Sequence, residues 1–107
     1  MPYNEDLADR VRFALRERDG ISEKKMFGGI CFLINGKMLA GVTKDDLMVR
    51  VGPDNHDRLL EEKGARLMDF TGRPMKGYVY VDATGLAADV DLARWVDRGA
   101  DFASTLT

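Results

Sequence analysis

From Lys24 to Gly52 the chain sets short apolar segments between turn residues, and this run, KKMFGGICFLINGKMLAGVTKDDLMVRVG, is the stretch around which the rest is organised. It reads as a strand, a glycine break and three further strand-length segments. Ile30, Phe32 and Ile34 alternate with Cys31 and Leu33, so both sides of the first segment after the break are apolar, as an interior strand requires. Asn35-Gly36 is the strongest short-range hairpin signal in the chain, because a type I′ turn needs positive φ at both central residues. The segment 37–43 must then return antiparallel. Lys44-Asp45-Asp46 is a second polar turn, after which Leu47, Val49 and Val51 alternate with Met48 and Arg50 in the next strand of a meander.

Helical spacing flanks this run. Leu7, Ala8, Val11, Ala14 and Leu15 recur at three- and four-residue intervals, which predicts a helix over 4–19 with Asn4 as its cap and Gly20 as its stop. A short helix is expected after Pro53, capped by Asp54, with Leu59 and Leu60 inward and Gly64 at its end. Two strands follow, over 65–70 and 77–81, separated by the turn Thr71-Gly72-Arg73-Pro74. Leu92, Trp95, Val96, Gly99, Phe102, Ala103 and Leu106 then form a wide apolar stripe on a long helix begun at Asp89 or Asp91, which should pack on the sheet. The order α-β(3)-α-β(2)-α predicts an α+β, two-layer domain with a largely antiparallel sheet and helices on one face.

Composition narrows the class. A chain of 107 residues, 45% hydrophobic and 32% charged, suits one domain over 1–107 that buries its core without metals or disulfides. The net charge of −2 gives no general attraction to nucleic acid or to anionic membranes. Cys31 is the single cysteine and cannot form an internal bridge. The first residues, MPYNEDLADR, are too acidic and polar for a signal peptide, and no apolar stretch approaches the ~20 residues of a membrane span. A soluble, cytoplasmic protein is expected.

Candidate chemistry is sparse. One cysteine and one histidine cannot supply a CxxC pair or an HExxH helix face, and Asp45-Asp46 and Glu61-Glu62 read as surface charge, so no metal and no cofactor is expected. Gly28-Gly29 precedes a strand rather than a helix, so it offers no helix N-terminus to a phosphate and reads as a bend or bulge. His56 is expected to be an exposed polar residue with neither nucleophile nor orienting partner, and Cys31 a small buried hydrophobe. No catalytic residue is assigned. Met26, Met38, Met48, Met68 and Met75 fall on or near strands and are expected to fill the core. What remains is a set of basic residues beside aromatics: Lys24, Lys25, Arg50, Arg73 and Lys76 with Phe70, Tyr78 and Tyr80. Between Lys24 and Lys76 there are ten Lys or Arg against seven Asp or Glu. A sheet face presenting Arg50, Tyr78 and Tyr80 could hold a single nucleic-acid strand by stacking and phosphate contact, although half-buried tyrosines are ordinary on a sheet covered on one side.

Several of these residues carry a resemblance. Lys25-Met26-Phe27-Gly28-Gly29, the turn Asn35-Gly36-Lys37, Leu47-Met48-Val49-Arg50-Val51, and Arg73-Pro74-Met75-Lys76-Gly77-Tyr78-Val79 followed by Leu92 and Trp95 resemble the TfoX/Sxy N-terminal domain family. The likeness runs from about Val11 to Ala103. It implies an α-β(3)-α-β(2)-α fold and a regulatory, partner-binding role. The best-known members regulate natural competence in bacteria together with a cyclic-AMP receptor-type activator and carry a second, C-terminal domain; a single-domain member without it is expected here. The resemblance transfers no catalytic residues. The resulting expectation is a non-enzymatic regulatory or adaptor domain that binds another protein, with a homodimer as one form of that contact, through an exposed part of the sheet or its edges. Direct nucleic-acid binding through the basic and aromatic face is the first alternative, and a small-molecule binding protein or enzyme the second. No membrane contact is expected.

Overall fold

The computed structural model describes residues 3–26, 28–70 and 73–106. Helix α1 spans Glu5–Ala14, and four strands follow: β1 (Ile21–Met26), β2 (Gly29–Ile34), β3 (Lys37–Thr43) and β4 (Asp46–Arg50). A single helical turn, α2 (His56–Leu59), leads into β5 (Ala65–Phe70) and β6 (Arg73–Val81), and the fold closes with α3 (Ala83–Leu86) and α4 (Asp89–Ser104). All strands are antiparallel neighbours in one six-stranded sheet of order β1-β2-β3-β4-β6-β5. The fold is the expected α+β class with helices N-terminal and C-terminal to the strands.

Turn chemistry sets the meander. Asn35 (φ +51) and Gly36 (φ +81) are both left-handed and join β2 to β3, as the Asn-Gly signal requires. Met26 lies opposite Gly29, so the glycine pair closes a tight hairpin between β1 and β2 rather than sending two segments to different parts of the sheet. The two glycines differ in purpose. Gly28 has φ +74 with open space around it, whereas a Cβ on Gly29 would sit 2.3 Å from the Val42 carbonyl oxygen of β3. Phe27, and the side chains of Met26, Arg73, Met75 and Lys76, lie outside the described residues.

Helix ends follow local bonds. The Asn4 side chain accepts from the Leu7 backbone N–H at 3.0 Å, the cap expected from sequence, worth about 1 kcal/mol. Past Ala14 the backbone tightens into three-residue bonds, Arg16 N–H to Phe13 O and Arg18 N–H to Leu15 O, so α1 ends before the charged segment that the apolar spacing had included. α3 was not anticipated; Asp82 caps it by accepting from the Thr84 N–H at 3.0 Å. α4 begins at Asp89, as the stripe predicts.

One continuous core lies between the sheet and the helices. Ile30, Phe32 and Ile34 of β2, Ala40 and Val42 of β3, Leu47 and Val49 of β4, and Val79 and Val81 of β6 meet Leu7, Val11, Leu92, Trp95 and Val96. In β3 the register slips, with Phe32 opposite Ala40 and Leu33 opposite Met38, so Leu39 is an extra residue in a bulge and joins the core beside Ala40. α4 crosses β3 at this point, and a Cβ on Gly99 would lie 2.4 Å from the Leu39 carbonyl oxygen. Ion pairs fix how α1 lies against α4: Arg10 with Asp89 at 3.0 Å, and Arg18 with Asp97 and Asp101 at 3.2 Å each. Such exposed pairs contribute about 0–1 kcal/mol each, so they orient a contact that burial holds.

Candidate functional site

Cross-strand partners point to the same face of a sheet, so the register assigns every strand residue to one of two sides. The side opposite the core is crossed by one row that touches all six strands: Lys24, Cys31, Gly41, Met48, Tyr80 and Arg66. Beside it, all on one flank, lie Ser22, Leu33 and Met38 and, across the bulge in β3, the pair Arg50 and Tyr78. Phe102 of α4 reaches its margin at Arg50. Its centre is apolar and aromatic, and its charges sit toward the margins.

The middle of the row closes on itself. A Cβ on Gly41 would lie 3.1 Å from Met48 Cε and 3.4 Å from Cys31 Sγ, so these two side chains lean together over the bare glycine. Met48 is accordingly only 7% exposed, although it lies on the side opposite the core. Met48 is therefore buried, as expected, but on this face and outside the cluster under the helices. Cys31 is buried as expected, and desolvation pushes its thiol pKa above the usual value. Native protein at neutral pH should thus react with iodoacetamide far more slowly than the same protein in urea, as intact-mass spectrometry would show; equal rates would contradict the burial.

The sequence-predicted basic and aromatic residues are only partly brought together. Arg50 stands opposite Tyr78 in the register, and its guanidinium lies 5.7 Å from the Tyr78 ring and 5.7 Å from the Phe102 ring of α4. Among the described residues it has no carboxylate partner. Tyr80 is on the same side one row away. Lys24 shares that side but stands four strand spacings from Tyr80, roughly 19 Å away. Lys25 pairs with Ile30, a core residue, and so projects on the helix side of the edge strand, away from the others. Of the five basic residues, Lys24 and Arg50 share one side and Lys25 faces the other way, while the side chains of Arg73 and Lys76 lie outside the described residues.

Two residues escaped sequence reading. Arg66 lies opposite Tyr80, with its guanidinium 4.8 Å from the ring and a bond of 2.6 Å to Asp46 Oδ2. That hydrogen bond raises an already high arginine pKa, so the cation is permanent and locally neutralised. Its sequence signal was the alternation within β5, readable only once β5 is known to pair with β6. His56, expected to be exposed, is only 4% exposed. It opens α2 three residues before Leu59, and the two share the inward side of that turn. Its Nδ1 lies 3.2 Å from Asp57 Oδ1, while Nε2 is buried without a hydrogen-bond partner.

The adjacent carboxylates diverge to separate partners. Asp45 accepts from Asn4 at 3.1 Å, Asp46 pairs with Arg66, and Glu62 pairs with Arg98 at 2.8 Å. Among the described residues no three His, Cys, Asp or Glu side chains gather as a metal site. No helix among them is long and apolar enough to cross a membrane.

Comparison with known proteins agrees with this geometry at the level of family. The comparison with curated proteins gives no match. The TfoX N-terminal domain matches residues 14–103, a span that takes in all six strands, the hairpin of Gly28-Gly29, the Asn35-Gly36 turn and nearly all of α4. The chain belongs to the TfoX N-terminal domain family.

Proposed function

We propose that this chain is a non-enzymatic regulatory or adaptor domain that acts by docking a protein partner on the side of its sheet opposite the core, in transcriptional control related to competence. The observation that carries the reading is the composition of that side: the half-buried Leu33, Met38, Tyr78 and Tyr80 present apolar and aromatic surface where a solvated sheet would alternate to polar residues. Tyrosine and methionine are the side chains that protein interfaces favour, because they supply large contact area at small entropic cost. Family membership supports a regulatory or adaptor role.

The test uses immobilised chain and its Tyr78→Glu/Tyr80→Glu variant, with folding checked by circular dichroism. A partner retained from a cell extract by the parent and lost by the folded variant is the expected result. Equal retention by both would remove the sheet side from the contact. A second reading, nucleic-acid binding, draws on Lys24, Arg50, Tyr78 and Tyr80 sharing this side. It requires a gel shift at low salt that weakens as salt rises and is lost on Arg50→Ala, because phosphate contacts compete with counterions.

A further inference from the structure

The helix layer carries a separate feature. Among the described residues only two large hydrophobic side chains are strongly exposed, Phe13 at 65% and Val90 at 67%, and both line the same groove between α1 and α4. The groove encloses about 360 Å³. Its remaining apolar lining includes Ala14 and Ala93, small residues that let another backbone approach closely. It is held open by Arg10, which donates to Asp89 Oδ1 at 3.0 Å and to the Leu86 carbonyl at 2.7 Å. A preformed apolar recess flanked by two projecting side chains is suited to helical packing.

The charges at its margins indicate the occupant. Arg10 meets Asp89 while Arg18 meets Asp97 and Asp101, so residue numbers rise together along both helices and α1 and α4 run in the same direction. Asp89 therefore lies at one end of the groove, 95% exposed despite its bond to Arg10. Arg16 lies toward the other end, its guanidinium 3.8 Å from the Phe13 ring, with no carboxylate partner among the described residues. A surface with an unmatched cation at one end and an open carboxylate at the other complements its own copy turned end for end. The same arrangement sets two parallel helix dipoles against two of opposite direction, which is the favourable pairing.

We infer that the α1/α4 groove is a two-fold self-association surface, in which a second copy of this chain packs antiparallel, Phe13 and Val90 fill the facing recess, and Arg16 of each copy meets Asp89 of the other. This goes beyond the proposed function, since it uses the helix layer and leaves the sheet side free.

Light scattering on size-exclusion fractions from micromolar to millimolar protein tests it. The parent chain should approach twice its monomer mass as concentration rises. Phe13→Glu should remain monomeric. Arg16→Glu and Asp89→Arg, each alone, place like charges opposite one another twice per dimer and should raise the dissociation constant by at least about tenfold. Mixing these two variants should restore association, because the mixed dimer carries one reversed and one native charge pair. A parent that stays monomeric throughout overturns the inference. So does a dimer indifferent to Phe13→Glu, or a mixture no tighter than its components. Circular dichroism of each variant separates loss of association from loss of fold, and retention of a docked partner by Phe13→Glu keeps this outcome distinct from that of the sheet side.

Discussion

Trp95→Ala should lower the unfolding free energy by about 3–5 kcal/mol, the range for deleting a buried tryptophan, where the lost transfer energy adds to the cost of the cavity. Trp95 is 2% exposed and is among the largest fully enclosed side chains of the core. It stands mid-way along the buried stripe of α4, next to Val96 and about one turn from both Leu92 and Gly99, so neighbouring side chains cannot close the space without moving the helix. Total stability for a domain of this size is about 5–15 kcal/mol, and the variant would lose a large share of it. Urea unfolding followed by circular dichroism measures this directly, with a lower midpoint and unchanged slope. A loss below about 1 kcal/mol would mean that the indole is not packed as described.

Gly99→Ala tests a different term. Alanine is the better helix former by about 1 kcal/mol, so on an exposed helix the substitution would stabilise. Here the new Cβ would lie 2.4 Å from the Leu39 carbonyl oxygen and 3.2 Å from Val49 Cγ1. The first neighbour is backbone in a bulged central strand and cannot swing aside, so α4 must lift from the sheet. Overpacking of this kind costs typically 1–3 kcal/mol and sometimes more, which exceeds the propensity gain. The expected result is a net loss of about 2 kcal/mol in the same urea experiment. Unchanged or raised stability would show that α4 does not approach β3 so closely.

These two positions also show what a sequence can disclose. Trp95 and Gly99 were readable as members of one apolar stripe because helical spacing is local. The meander was readable for the same reason: two-residue alternation and an Asn-Gly turn need only neighbours in the chain. β1 had a weaker signal, since Glu23, Lys24 and Lys25 interrupt alternation, and such charges suit an edge strand rather than forbid a strand. Non-local facts were not readable. Both sides of β2 are apolar, so the pattern could not say which would receive the helices, nor on which side Met48 would be buried. Placing Arg66 beside Tyr80 required knowing that β6 inserts between β4 and β5. The burial of His56 depends on how one helical turn seats against the fold, which its own four residues do not encode. Phe13 falls outside the apolar spacing of its helix, and only the fold brings Val90, far away in sequence, to the same groove.

The position of α4 after every strand has a consequence for biosynthesis. All six strands leave the ribosome before the first residue of the helix that covers them. For that interval the apolar side of the nascent sheet is shielded only by α1 and the short turns, and a bare sheet side of this kind is a site of misassembly. The edge charges of β1 are in place from the outset, so the growing sheet is guarded against lateral pairing before it is guarded against stacking.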